Sequence, residues 1–293
     1  MNSLRNFFLV VTLLSITLLA FSQDDRRWRM NSDGSIEWFI GNRIPHDDHI
    51  ELSGKQISCV LRYGVASDSS FHASRSLVWP MLRTIPNNTH ASLTRRFAQD
   101  AFEMVTVNYR PIAAEKVTSI SLNGILTVNS RVSNTLELTR QYFPSTDLPV
   151  YCEVYRIKNI SGKKCVIEIP KSNSIYQTDP KMGTEGAYDL QVNWYHGGSY
   201  QLQPNESVHF SLIYSGAKLN EQAPQIDANH EMTKRLSFVQ QVWNNLVLET
   251  PDTVLNREFA FAKIRAAESI FETKGGPMHG PGGESYYAAI WAN

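Results

Sequence analysis

The sequence predicts a mainly β protein that turns helical late: a large antiparallel β-sandwich followed by a small number of helices. Three observations carry that class. Between Ser35 and Ser215 the chain runs through a dozen short apolar or alternating stretches separated by turn chemistry. Almost no helical period interrupts them. Beyond residue 228 the apolar residues recur in steps of three and four instead. Strands first and helices afterwards argue for two successive domains, not an interleaved α/β fold.

In chain order the strand-like runs are Ile36–Ile40, Gln56–Val65, Arg75–Val78, Val105–Asn108, Val117–Leu122 and Ile125–Val128. They continue with Thr135–Arg140, Val150–Ile157, Cys165–Ile169, Tyr188–Tyr195, Ser199–Leu202 and Ser207–Tyr214. Ser32-Asp33-Gly34, Asn123-Gly124, Ser161-Gly162, His196-Gly197-Gly198 and Pro204-Asn205 supply the turns. Asn123-Gly124, between SISL and ILTV, is the clearest hairpin signal. After the polar, proline-containing linker Asn220–Ala228, Met232, Leu236, Val239, Trp243 and Leu246 mark one face of an amphipathic helix. A second helix is expected to take Thr250 as its cap and Pro251 in its first turn. It would bury Leu255, Phe259, Ala262, Ala266 and Ile270 and end at Lys274-Gly275-Gly276. Two helices cannot close a helical domain, so the sequence reads as cut just inside its second domain.

Composition narrows the function. Lys and Arg total 28 against 28 Asp and Glu, so no global field favours nucleic acid or an anionic membrane. Arg5 and the apolar run Phe7–Phe21 form a secretory signal peptide, with Ala20 and Ser22 placed for cleavage before Gln23. The polar QDDRRW that follows does not continue into a span. The expected location is periplasmic or secreted, with no membrane span after cleavage; an uncleaved anchor is the rival reading. An odd set of cysteines, Cys59, Cys152 and Cys165, excludes a fully paired framework. Cys152 and Cys165 flank an expected hairpin turn at Asn159–Lys164, with Cys165 opposite Arg156. Three buried thiols acting as small hydrophobes are the expectation. No CxxC or HxxxH spacing supports a metal, and no cofactor is expected.

Four motifs stand out. HDDH, His46–His49, has metal-ligand residue types, yet neighbouring strand residues face opposite sides and cannot converge on one ion. A polar loop is expected there, with hydrogen bonding to a polyhydroxylated ligand as the functional alternative. WPMLRTIPNNTH, Trp79–His90, reads as a long irregular loop on the sandwich rim, where function concentrates. Trp79 by itself fits a plug in the sandwich at least as well. Asn87-Asn88-Thr89, Asn159-Ile160-Ser161 and Asn205-Glu206-Ser207 match the glycosylation sequon and are expected to mark exposed loops.

The fourth motif is GGPMHGPGG, Gly275–Gly283. It fails as a phosphate loop, because it follows a helix and lacks GK[ST]. It is expected to join two helices and to hold His279 and Glu284 near Tyr286, Tyr287 and Trp291. Such aromatics stack on pyranose faces, while His, Glu and Asn bind hydroxyls. The competing reading is a flexible loop between helices, with Tyr287 and Trp291 packed in a core at i, i+4 spacing.

DHIELSG (Asp48–Gly54), WPMLRTIPNNTHASL (Trp79–Leu93) and GGPMHGPGGESYYAAIWAN, set behind a signal peptide, resemble segments of the six-hairpin glycosidases. In those enzymes, α-rhamnosidase-like bacterial glycoside hydrolases among them, an (α/α)6 barrel follows an N-terminal β-sandwich. The resemblance covers most of the chain as architecture, and its motifs are less specific than a catalytic signature. The parts then divide into a signal peptide over 1–22, a sandwich over 23–226, a helical linker over 227–249 and an incomplete catalytic domain from 250 to 293. The resemblance implies carbohydrate as the partner. It also implies hydrolysis by two carboxylic side chains, one protonating the leaving oxygen and one activating water. The family's acid falls beyond Asn293, so this chain alone is expected to be inactive. Glu284 would be a substrate contact at most, and Trp291 and Asn293 match a segment that lines the sugar site.

Two further classes compete. One is a non-catalytic carbohydrate-binding or assembly module. The exposed stripe Leu255–Ile270 counts against it, since an uncovered apolar face is prone to association. The other is an intertwined oligomer built on that helix.

Overall fold

The computed structural model describes residues 27–41, 44–88, 91–112, 114–280 and 282, and within them the strands build two facing layers. Strands are numbered in chain order. One layer is a nine-stranded sheet. From edge to edge it runs β1 (Arg29–Met30), β2 (Ile36–Phe39), β9 (Glu115–Leu122), β10 (Leu126–Val132), β11 (Leu136–Pro144), β12 (Val150–Asn159), β17 (Ser207–Lys218), β15 (Tyr188–Tyr195) and β14 (Asn173–Gln177). The facing layer is split in two. One half holds β3 (His46–Ser53), β4 (Ser58–Val65), β5 (Phe71–Trp79) and β6 (Leu93–Phe97). The other holds β16 (Gly198–Leu202), β13 (Cys165–Ile169), β7 (Thr106–Val107) and β8 (Arg110–Pro111). Every described pairing is antiparallel. The expected sandwich followed by helices is the observed architecture.

Strand β12 shows why its sequence reads as continuously apolar. Tyr151, Tyr155 and Ile157 point into the core between the layers. Val150, Cys152 and Val154 point the other way, into a second cluster with Phe143, Ile213 and Ala228. Ala228 opens the first helix, Ala228–Asn244, which covers that outer face. A strand covered on both sides has no solvent face to fill with polar residues. Each large apolar side chain so buried stabilises the fold by about 1.5–3 kcal/mol.

The first helix sits on the turn that the sequence marked. Leu122 pairs with Leu126 across Asn123-Gly124. Gly124 has φ +89°, and a Cβ there would lie 2.3 Å from Val239 Cγ2 on the helix. Gly124→Ala is expected to cost about 2–4 kcal/mol through left-handed strain and overpacking together. The readout is a lower urea midpoint with faster proteolysis in 219–227. An unchanged midpoint would mean that the helix is not seated on this turn.

Both helices turn an unexpected face inward. The first buries Ala228, Glu231, Arg235 and Val239 and leaves Leu236 40% exposed. The second, Thr253–Glu268, buries Ile264 and Glu268. Its stripe of Leu255, Ala262, Ala266 and Ile270 is exposed, and Phe259 is half-buried. The cause is the surface beneath, where the ends of strands and turns present carbonyls that need donors. Arg235 Nε donates to Gly124 O at 3.1 Å and Nη1 to Ser53 O at 2.8 Å. Its Nη2 pairs with Glu268, which also accepts from Arg265.

Caps and ends differ in detail from the expectation. Asp227 caps the first helix. Asp252, not Thr250, caps the second, accepting from Val254 N at 2.8 Å and Leu255 N at 3.2 Å. A carboxylate at the N-terminus also meets the positive end of the helix dipole, which a hydroxyl does not. Thr250 Oγ1 donates instead to Asn256 Oδ1 at 2.8 Å. Lys263 Nζ donates to Val242 O at 2.8 Å, Trp243 O at 2.9 Å and Leu246 O at 3.0 Å, tying the second helix to the C-terminal end of the first.

The second helix stops at Glu268, and no helix runs on to Lys274. A hairpin follows, β18 (Ile270–Thr273) and β19 (Gly276–His279), turning at Lys274-Gly275. Phe271 packs against Val78, and Glu272 N donates to Lys55 O at 2.8 Å. Extended backbone is what allows that pairing with the sandwich.

Other expectations are corrected as well. HDDH opens strand β3 and is not a loop; Asp47 pairs with His72 on β5, and His46 packs edge-on against Trp38. Cys152 and Cys165 lie in different sheets, so the expected β12–β13 hairpin does not form. All three thiols are free and buried, as expected. Asn159 is fully buried, its amide donating to Lys163 O at 2.8 Å and Leu202 O at 3.1 Å, so its sequon is not an exposed site. Trp79 plugs the sandwich, with its indole N–H on Pro149 O at 3.1 Å. Among the described residues no helix is long and apolar enough to cross a membrane.

Candidate functional site

Of the residues expected to bind sugar, His279 is described. It ends β19, is exposed, and shares a 3.0 Å hydrogen bond with Ser269 through Nδ1. Glu284, Tyr286, Tyr287, Trp291 and Asn293 lie outside the described residues, as do Thr89, His90 and the stretch expected to be a signal peptide cut after Ser22.

The structure brings to one rim of the sandwich three stretches that the sequence had singled out separately. The first is the end of β3, inside DHIELSG. Glu51 accepts from Ser58 Oγ at 2.7 Å and faces Arg265 Nη2 at 3.3 Å, and its backbone oxygen accepts from Arg265 Nη1 at 2.8 Å. Gly282 comes back over this carboxylate. It has φ +80°, and a Cβ there would stand 2.4 Å from Glu51 Oε2, so a side chain would be strained and would push that carboxylate aside.

The second stretch is the irregular loop after Trp79. Arg83, 7% exposed, donates to Asn88 Oδ1 at 3.1 Å and faces Glu185 at 3.4 Å, while Tyr188 Oη holds the loop by donating to Arg83 O at 2.6 Å. The third is the hairpin. Gly275 N donates to Asn88 O at 3.1 Å, Gln56 Nε2 to Glu272 Oε2 at 2.8 Å, and Lys274 Nζ lies 3.6 Å from Glu185. Three cations, Arg83, Lys218 and Lys274, therefore surround Glu185. Burial alone would raise its carboxyl, but Lys218 and Arg83 outweigh that and hold it below the usual range. The rim thus gathers Arg83, Lys218, Lys274 and Arg265 with Glu51, Glu185, Glu221 and Glu272 beside the start of the glycine-rich loop.

A carboxylate-rich network that sequence reasoning missed lies deeper. Arg75 Nε and Glu153 Oε1 are 2.7 Å apart, both fully buried, and link the two layers. Tyr155 Oη lies 2.8 Å from Glu153 Oε2 and 3.2 Å from Asp100 Oδ1. Arg140 reaches Asp100 Oδ2 at 3.0 Å and both oxygens of Glu115 at 2.5 and 2.9 Å. Burial pushes the Glu153 carboxyl up despite Arg75. Burial acts the same way on Asp100, but the charges of Arg140 and Arg75 outweigh it and hold that carboxyl low.

Divergent carboxyls are a mark of acid/base sites. Here, however, the Asp100 and Glu115 oxygens are occupied by Arg140, Tyr155 and the Phe102 N–H. A cleft of about 620 Å³ does reach Asp100, Glu115 and Arg140 from outside. With these oxygens engaged, and with Glu153 fully buried against Arg75 of the facing layer, we assign the network to joining the layers. The available signal was charged residues, Arg75, Arg140 and Glu153, set inside otherwise apolar strands. Among the described residues no group of three or more His, Cys, Asp and Glu is placed to hold a metal.

No family model and no curated protein matches the chain. Among solved structures, 38 chains match. One, titled "Putative kojibiose phosphorylase from human microbiome", shares 7% identity at a TM-score of 0.48, over 84% of this chain and 42% of that one. The chain therefore spans less than half the length of that neighbour. The fold described above rests on this chain's own strands and their register.

Proposed function

We propose that this chain is the N-terminal part of an exported glycoside hydrolase of the six-hairpin type, acting on a plant or host glycan. The observation that carries this reading is the convergence on one rim. All three stretches through which the sequence resembles such enzymes meet there, around Glu51, Arg83, Asn88 and the hairpin. A second observation supports it. The second helix turns polar and charged groups to the sandwich and an apolar stripe outward, as a helix does when it is shared between a sandwich and further helices.

In this reading the sandwich spans 23–226, the linker helix 227–249, and the catalytic domain begins at 250. His279, Glu284, Tyr286, Tyr287, Trp291 and Asn293 hold the sugar, by stacking on its apolar face and bonding its hydroxyls. The acid and base that cleave the glycosidic bond lie beyond residue 293, and the protein works in the periplasm or outside the cell after cleavage behind Ser22.

The test uses the intact protein isolated from its source. Release of reducing sugar from a panel of plant and host oligosaccharides is expected from the intact protein and not from residues 23–293 alone. In the intact protein, Trp291→Ala is expected to raise KM about ten-fold or more, with the fold unchanged. No release from any oligosaccharide, or cleavage by residues 23–293, would overturn the reading. Unchanged KM and kcat would remove Trp291 from the site.

A further inference from the structure

A second cleft, of about 370 Å³, shares no lining residue with that rim. It opens between β6 and the edge strand β14 with its neighbour β15, and its lining includes Arg95, Phe97, Gln99, Tyr176, Trp194 and Tyr214. We propose that it binds an anionic pyranose, with the sugar ring against Trp194 and its oxyanion on Arg95. The proposal rests on the reading of the chain as part of a carbohydrate-active protein and adds a ligand class and a place to it.

Arg95 decides the charge. It is half-buried, and its guanidinium carbon lies 4.3 Å from the Tyr176 ring centroid and 5.7 Å from that of Phe97. The fully buried arginines Arg75, Arg140 and Arg235 each face a carboxylate. Arg95 faces none among the described residues, and no acidic side chain lines the cleft. Its strand neighbour Arg96 is exposed on the other face of β6, where it donates to Ser74 Oγ at 3.3 Å. A guanidinium held over the Tyr176 ring and beside that of Phe97 keeps its planar fork in place while its N–H groups stay free to take a carboxylate or sulfate side-on.

Trp194 decides the shape. One side of its indole stacks on Phe210, centroids 5.7 Å apart and planes 8° from parallel. Phe210 in turn stacks on Tyr155 at 4.6 Å, so a column of rings anchored in the core holds the indole still. Trp194 also lines the cleft, where a pyranose face can lie on it, with Gln99, Ser172 and Ser174 near enough to bond hydroxyls. The volume suits one or two sugar rings. A neutral sugar would leave the cleft's charge unanswered, and a flat aromatic ligand would leave its hydroxyl-binding groups unused.

The test is calorimetric titration of the intact protein with trigalacturonate, its fully methyl-esterified form, and a sulfated galactotriose. Trigalacturonate is expected to bind at least ten-fold tighter than its ester and to weaken with added salt. Arg95→Gln should erase the difference between acid and ester, Arg95→Lys should keep part of it, and Trp194→Ala should weaken both ligands at least ten-fold. Thermal unfolding of each variant checks its fold, and the Arg95 pair carries the result if Trp194→Ala does not fold. Preference for the sulfated sugar keeps the site and names sulfate as its oxyanion. Equal binding of acid and ester, binding of none of the three, or full affinity in Arg95→Gln overturns the proposal. Hydrolysis by the intact protein without this binding refutes the cleft alone. Binding without hydrolysis refutes the glycosidase reading alone.

Discussion

Asp100→Asn is expected to destabilise the protein by about 3 kcal/mol at pH 7, the lower end of the range for breaking a buried ion pair. The lower end applies because Arg140 keeps Glu115 as a partner, and asparagine keeps an oxygen for the Phe102 N–H. The effect should depend on pH in a definite direction. Arg140 and Arg75 hold the Asp100 carboxyl below its ordinary value of 3.8, so the unfolded chain takes up that proton first as pH falls. The stabilisation from ionised Asp100 is therefore full above about pH 5, fades through 3.8, and is gone once pH falls below the folded value. Urea titrations at pH 7 and pH 3 should show the gap between parent and variant narrowing at the lower pH. A gap that widened on acidification would mean that Asp100 is not the ionised member of the network. Glu153 responds in the opposite sense, because burial raises it, and contributes least where it must ionise.

Arg235→Met is expected to cost about 3–5 kcal/mol and to release the helices from the sandwich. The guanidinium is fully buried and serves Gly124 O, Ser53 O and Glu268 at once. Burial and the nearby Arg265 pull it down to about 9, so it is still charged at neutral pH. Methionine would fill much of its volume, yet would leave two carbonyls without donors and Glu268 with Arg265 alone. Pairing it with Glu268→Met should recover part of the loss, as apolar replacements of whole buried pairs do. Urea unfolding and limited proteolysis in 219–227 measure both effects. A single variant within about 0.5 kcal/mol of the parent would show that Arg235 does not seat the helices. The functional consequence follows from the chain path, since the hairpin and Gly282 are carried to the rim by the helix this residue holds down.

Much of the sandwich was legible because its strands write their burial into local pattern. Runs such as Val150–Ile157 and Ile125–Val128 are almost wholly apolar, and Asn123-Gly124 names its own turn. Strands with weaker patterns were missed. His46–Ser53 begins with four polar residues, and Leu93–Phe97 and Asn173–Gln177 are short and half-exposed. The helices were legible in place but not in orientation. Their period shows an apolar stripe, and the face they bury was set by the carbonyls of Gly124 and Ser53, which lie more than a hundred residues away in sequence.

The candidate site divides in the same way. Its residue types, glycines, histidine and aromatics after Lys274, stand in the sequence. That this stretch turns back as a hairpin and meets both Asn88 and Glu51 is a tertiary fact. So is the Arg95 cleft, whose members come from β6, β14, β15 and β17 and share no motif. By itself the sequence determined the strands, the turns and the late change to helices, because those follow from interactions between near neighbours in the chain. Which faces meet, which charges are buried in pairs and which arginine is left without a carboxylate were decided only in the folded molecule. Hydrogen bonding and charge pairing depend on distance in space, which local periodicity does not encode.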